Sequence, residues 1–125
     1  MKTWSKHWKS SKKPRKQRKY AFNAPLHIAR KLLSSTFSND LHTKYKKRNT
    51  PLRKGDMVKI MRGQFKGKTG KVEKINLKKQ RIAIEGIFLT KKDNNKTPYL
   101  LHPSKLMITE LVTDDKKRIK HLERK

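Results

Sequence analysis

The stretch "RGQFKGKTGK", residues 62–71, holds three of the chain's five glycines, set among lysines. Within it, Gly63-Gln-Phe-Lys-Gly67-Lys68-Thr69 is one residue short of the phosphate loop G-x-x-x-x-G-K-[ST]. That loop needs four residues between its glycines so that successive N–H groups curl around phosphates, and it must open a helix whose N-terminus faces the anion. Here only three residues intervene, and Gly70 follows, then Val72 and Ile75 among charged residues. Glycine opposes helix initiation and β-branched residues favour a strand. No later apolar run ends in an aspartate placed to hold magnesium. The stretch therefore reads as a turn between two strands, not as a nucleotide cradle.

The flanking pattern agrees. Val58 and Ile60 alternate on one side of the turn, and Ile82/Ile84, Ile87/Leu89 and Leu106/Ile108 follow as three further strand faces. Val72 and Ile75 break the alternation, which predicts a bulge in the second strand. "DNNKTP" reads as a turn, and "HPS" interrupts the chain before the last strand. Five or six short strands across residues 55–112, without helical spacers, predict a mainly β fold built on a small antiparallel barrel. Val58, Ile60, Val72, Ile82, Ile84, Leu106 and Ile108 are its expected core.

The other residues extend this domain. Residues 1–22 read as a basic arm without structure of its own, since "KKPRKQRK" has nothing apolar to bury. Residues 23–54 read as a helical extension and linker. "APLHIARKLLSSTF", residues 24–37, has Pro25 in its first turn and apolar residues at helical spacing; a second short helix is expected from about Asn39 to Arg48, and "NTPLRKG" as linker. Residues 113–125 read as a short basic helix or frayed tail, capped by Thr113 or Asp114.

Of 125 residues only 32% are hydrophobic, too few for a core spanning the whole chain, and 36 Lys and Arg stand against 9 acids, a net charge of +27. The first 54 residues hold 17 of those cations and one acid, Asp40. Such a charge repels itself in a compact free monomer, and a polyanion removes the repulsion. Nucleic acid is the expected partner. The absence of cysteine excludes disulfides and cysteine-based zinc sites. No apolar run reaches membrane-span length, the N-terminus lacks an apolar signal core, and only short apolar stripes are present where a membrane-surface helix needs a broad face. A cytoplasmic protein without membrane insertion is expected.

Taken together, "KGDMVKIMRGQFKGKTGKVEKI" at residues 54–75 resembles the KOW motif of SH3-like barrels, which ribosomal proteins and transcription elongation factors share. "KPRKQRKYAFNAPLHIARKLL" and "LHPSKLMI" narrow the resemblance to the universal large-subunit ribosomal protein family numbered twenty-four, twenty-six in the eukaryotic scheme. The arm and first helix resemble its archaeal and eukaryotic branch, and the short C-terminus its archaeal side. The resemblance covers about residues 12–112; Trp4 and Trp8 lie outside it. It implies an SH3-like (KOW) barrel with a basic arm and one or two short helices, placed in the cytoplasmic ribosome. It further implies binding to the first, 5′-terminal domain of the large-subunit rRNA, a role early in assembly, and a position near the peptide exit tunnel. Implied partners are that rRNA, neighbouring ribosomal proteins, and nascent-chain or targeting factors at the exit; no homo-oligomer is expected. The rival readings are a KOW transcription elongation factor, which predicts a further domain, and a general nucleic-acid-binding protein, which predicts indifference to RNA shape.

The expected RNA-binding residues are Lys12, Lys13, Arg15, Lys16, Arg18 and Lys19 in the arm, then Arg30, Arg53 and Lys54, then Arg62, Phe65, Lys66, Lys68 and Lys71 in and beside the turn. Arginine pairs bidentately with phosphate oxygens. Gly55, Gly63, Gly67 and Gly70 shape the turn, and Phe65, read as exposed, is the first candidate to stack on a base. Tyr20 and Phe22 either stack likewise or anchor the arm on the barrel. Lys91, Lys92 and Lys96, close to Asp93, read equally as a solvated face. The five histidines (7, 27, 42, 102 and 121) lack metal-site spacing. Glu73 and Glu85 read as partners in surface ion pairs rather than catalytic acids. No enzyme, cofactor or metal is expected.

Overall fold

The computed structural model describes residues 3–124; the first two residues of the expected arm and the last of the expected tail lie outside them. The elements in chain order are α1 (Pro14–Phe22), α2 (Leu26–Leu32), β1 (Ser34–Phe37), α3 (Asn39–Tyr45), β2 (Asn49–Pro51), β3 (Met57–Ile60), β4 (Thr69–Asn76), β5 (Arg81–Thr90), β6 (Lys96–Leu101), β7 (Leu106–Glu110) and α4 (Lys116–Glu123). Short 3-10 turns occupy Trp8–Ser10 and Pro103–Lys105. The seven strands are ordered β2-β1-β7-β3-β4-β5-β6. All neighbours are antiparallel except β1 and β7. One apolar cluster contains Phe37 of β1 and Leu101 of β6, from opposite ends of that order. The sheet therefore wraps around a single core, as a small barrel does. The expected mainly β fold is present.

All seven expected core residues are at most 1% exposed. The bulge expected in the second strand lies in β4, where the register shifts between Val72 and Lys74. Two expected strands are instead one. Ile82/Ile84 and Ile87/Leu89 lie on the single strand β5, whose register shifts between Ala83 and Phe88. Gly86, at φ 78, sits inside that shift. A residue inserted there moves the inward phase from even to odd positions, so one bent strand looks like two in sequence.

The flanks differ more. The helix expected across residues 24–37 stops at Leu32, and Ser34–Phe37 is a strand. Serine and threonine are weak helix formers, while β1 finds partners in both β2 and β7. The buried Ser35 hydroxyl donates to the Pro103 carbonyl at 2.7 Å. The presumed linker likewise contributes β2, so the extension completes the sheet. Residues 14–22, expected without regular structure, form α1. Pro14 is preset for a first turn, and Arg, Lys and Gln are good helix formers. No residue of α1 is buried. There are four α-helices among the described residues, rather than one or two.

The C-terminal segment forms the short basic helix α4 rather than a frayed tail, with a cap other than the one expected. Asp115, not Thr113 or Asp114, caps α4 by accepting from the Lys117 N–H at 2.8 Å. Leu122 enters the core at 1% exposure. Arg118 is buried beside it and meets Asp56, whose side chain is fully covered. Both carboxylate oxygens accept from the guanidinium at 2.7 Å. The same oxygens accept from the Arg53 N–H at 2.8 Å and the Val112 N–H at 3.1 Å. Arg118 also donates to the Val112 and Pro51 carbonyls.

Removing one member of such a pair strands the other's charge. Arg118→Ala is therefore expected to lower unfolding free energy by about 3–5 kcal/mol. Apolar replacement should not rescue it. The double variant Asp56→Leu/Arg118→Met orphans the N–H groups of Arg53 and Val112, and should remain at least about 2 kcal/mol below wild type. Urea denaturation followed by circular dichroism measures both, and a fully stable double variant would contradict the assignment.

Candidate nucleic-acid interface

The turn joining β3 to β4 is held by backbone bonds. Gly67 donates to the Ile60 carbonyl at 2.8 Å, Ile60 to Lys68 at 2.9 Å, and Lys66 to Gly63 at 3.0 Å. Gly63 and Gly67 take φ 97 and 90, and a side chain at Gly67 would point into open space. Gly70 is required for a different reason. A Cβ there would lie 2.7 Å from Ile84 Cγ2 and 2.8 Å from the Glu85 carbonyl oxygen. Gly55, at φ 93, begins the approach to β3 and lies against Val112. The result is a rigid loop presenting the exposed side chains of Arg62, Lys66, Lys68 and Lys71.

Phe65 departs from expectation. It is half-buried and packs on Tyr99 of β6, ring centroids 5.1 Å apart, with Lys68 Nζ 5.4 Å from its ring centre. Its first role is to pin the turn to the barrel, because a large apolar side chain gains more from a neighbouring aromatic than from water. Tyr99 was not legible as part of this surface; nor was Lys105. The Lys105 carbonyl accepts from the Met61 N–H at 2.8 Å, and its ammonium lies close to Gly63. Their pairing with the turn depends on strands distant in sequence.

A second basic surface forms where the flanks meet the barrel. Arg30, Arg53, Lys54 and Lys117 line one groove of about 810 Å³ with Leu77 and Asp115. Arg53 is not free there: its guanidinium holds Asp115 at 2.5 Å, with both side chains about one-third exposed. That hydrogen bond, followed by the Lys117 N–H, holds the Asp115 carboxyl below the usual range. Lys54 and Lys71 share a further groove with Glu73 and Glu85. The ion pairs expected at Glu73 and Glu85 are not formed among the described residues, where the two pairs present belong to Asp56 and Asp115.

The third surface is α1 and the residues before it. Lys12, Lys13, Arg15, Lys16, Arg18 and Lys19 are all exposed. The helix end lies beside the β4–β5 turn, where Arg18, Lys19 and Phe22 share a cavity wall with Lys78 and Lys79. Phe22 is 85% exposed and anchors nothing. Tyr20 instead packs on Trp4, centroids 5.4 Å apart. The Trp4 indole N–H is buried without an acceptor among the described residues.

His102 caps the short 3-10 turn of Pro103–Lys105. Its Nδ1 accepts from the Ser104 N–H at 3.3 Å and meets the Ser104 hydroxyl at 2.8 Å. Burial, then the charges of Arg81 and Lys105, push its pKa below the ordinary histidine value. Among the described residues no three histidines or acids gather as a metal site would need, and no helix is long and apolar enough to cross a membrane.

A small barrel with a cation-edged turn, extended by basic helices, defines a class of strongly basic β domains. Comparison with known proteins narrows the class. Residues 11–125 match the ribosomal protein family that is numbered twenty-six in eukaryotes and twenty-four in archaea. The chain is also 46% identical over 115 residues to the large ribosomal subunit protein uL24 of Korarchaeum cryptofilum (strain OPF8), covering 92% of this chain and 88% of that relative. The chain belongs to this ribosomal protein family.

Two outcomes follow from the site's geometry. At Gly67 only φ is restrictive, so Gly67→Asn should be tolerated better than Gly67→Val, since Asn enters positive φ more readily than a β-branched residue. At Gly70 the limit is space, so even Gly70→Ala should cost about 1–3 kcal/mol; thermal unfolding ranks all three. His102 supplies a pH dependence. Its folded pKa is depressed, so its contribution to stability is complete above the ordinary histidine value of about 6.5 and is lost as pH falls through the folded value. The melting temperature should therefore decline on acidification below about pH 6.5, and His102→Asn should flatten that part of the profile.

Proposed function

We propose that this family member acts as a structural constituent of the large ribosomal subunit in the cytoplasm. It binds the large-subunit rRNA within the first, 5′-terminal domain, supports early assembly and lies near the peptide exit tunnel. The observation that carries the reading is the disposition of charge. Exposed cations occur on the turn, in the groove of Arg30, Lys54 and Lys117, and along α1. No acid precedes Asp40, so the arm has no internal partner. Family membership supports a ribosomal setting.

The mechanism divides between shape and charge. The turn is fixed by its own backbone bonds and by Phe65 on Tyr99, so it offers a preformed edge to an RNA of matching contour. The arm carries charge on an element with no buried residue. It docks as a helix against RNA and neutralises phosphates brought together at an assembly junction. Arg30, Lys54 and Lys117 extend the contact between turn and arm. Neighbouring ribosomal proteins, and nascent-chain or targeting factors, meet the faces left uncovered. The chain works as a monomeric scaffold and performs no catalysis.

Salt dependence separates the two parts. Deleting residues 1–19 removes nine basic residues. If about half of these touch phosphate, the slope of log K against log salt becomes shallower by roughly 3–4. Gly67→Val should weaken binding to the cognate rRNA fragment more than to a random RNA of equal length. Filter binding across a salt series measures both; an unchanged slope, or equal weakening on both RNAs, would contradict the division. Sedimentation of the tagged chain with intact large subunits, resistant to moderate salt, is the expected outcome in a lysate.

A further inference from the structure

The family match begins at residue 11 and leaves Trp4, His7 and Trp8 without a role. These residues are not a loose end. The 3-10 turn of Trp8–Ser10 is tied back to α1 by Gln17, whose Nε2 donates to the Lys9 carbonyl at 2.9 Å and the Ser11 carbonyl at 2.6 Å. Between turn and helix lies a cavity of about 440 Å³. Its aromatic lining is Trp8 and Tyr20, and its charged or polar lining includes His7, Lys16 and Lys19. Trp4 packs on Tyr20 at 5.4 Å, with the rings tilted by 38°, and so fixes one wall. Trp8 is 43% exposed and open to a stacking partner.

The lining specifies its ligand. Two aromatic side chains call for a flat π-system, and two ammonium groups one helical turn apart call for an anion beside it. No carboxylate side chain occurs in the first 39 residues to satisfy those cations. A nucleotide has both features, and the cavity lies within the roughly 300–1,000 Å³ of small-molecule sites. Stacking on Trp8 or Tyr20 requires a free base face, which a base within a duplex does not offer. A base can enter only when unstacked from its own helix, as in a bulge or loop. The flanking cations Lys12, Lys13, Arg15 and Arg18 suit a continuing phosphate chain rather than an isolated nucleotide.

We infer that the cavity between Trp8 and Tyr20 receives a single unpaired base of an RNA strand, with Lys16 and Lys19 on its phosphates. The inference rests on the RNA-binding role proposed above, and assigns to that role a site reaching beyond the family-matched residues. The arm thereby reads an irregularity in RNA structure as well as charge.

The chain has two tryptophans, so Trp4→Phe leaves Trp8 as the sole indole emitter. This full-length variant is titrated, at physiological salt, with an RNA hairpin carrying one bulged adenosine and with the same stem fully paired. Stacking should quench Trp8 emission by about half or more with the bulged hairpin and by much less with the paired stem. In the otherwise wild-type chain, Trp8→Ala should weaken the bulged hairpin about tenfold, within the range of one lost stacking contact. It should leave the paired stem unchanged. Because Trp8 is exposed and outside the core, its removal tests the contact rather than the fold; circular dichroism of the variant verifies this. Equal quenching by both hairpins, or equal weakening of both by Trp8→Ala, overturns the inference. Binding to the paired stem reads the general RNA-binding role separately. Stem binding without bulge preference sinks the cavity assignment alone, whereas binding to neither hairpin sinks both.

Discussion

Asp56 has no exposed side-chain surface, yet four donors converge on its two oxygens. They come from Arg53 before β3, Val112 after β7 and both terminal nitrogens of Arg118 on α4. Arg118 then reaches the carbonyl of Pro51 at the end of β2. One carboxylate thus joins the start of the barrel, the end of its last strand and the C-terminal helix. A buried ion pair is generally a poor source of stability, because desolvation offsets the attraction. Here the same carboxylate also satisfies two main-chain N–H groups, so the site organises chain crossings that an apolar pair would leave unsatisfied. Leu122 enters the core one turn beyond Arg118, and the Arg53–Asp115 pair stands at the other end of the linkage.

That anchorage has a consequence for the basic surface. Arg53, Lys54 and Lys117 lie together where Asp56, the Arg53–Asp115 pair and Leu122 hold α4 against the segment preceding β3 and the core. The turn on the opposite end of β3 gains its rigidity separately, from its own backbone bonds and from Phe65 on Tyr99. Two cation-bearing regions are therefore held on one barrel by independent means. The arm differs from both, since α1 buries none of its residues. A high positive charge of this kind opposes compaction in the absence of a polyanion. Its placement on a helix without a core face limits that conflict, because none of that charge has to be desolvated in the core.

The fold was legible where one residue type had one physical reason to be in place. Period-two aliphatics identified the buried faces of β3, β5 and β7, and the break at Val72–Ile75 marked the bulge in β4. The glycine spacing excluded a phosphate cradle and required a turn. Other features depended on contacts across the fold. Ser34–Phe37 continues a helical pattern locally, but the free edges of β7 and β2 recruit it as a strand. Phe65 reads as exposed because its loop is polar, whereas Tyr99, far along the chain, covers it.

The sequence by itself determined the barrel's core, the position of its principal turn, the excess of positive charge and the family to which the chain belongs. Each is carried by local pattern or composition, which survives without knowledge of neighbours. Tertiary structure alone decided that Arg118 is an interior residue rather than one more surface cation. Nothing in "KKRIKHLERK" distinguishes it from Lys117 or Lys120. Its burial follows from a single carboxylate 62 positions earlier. Charge can be counted along a chain, but its desolvation and pairing are properties of the folded space around it.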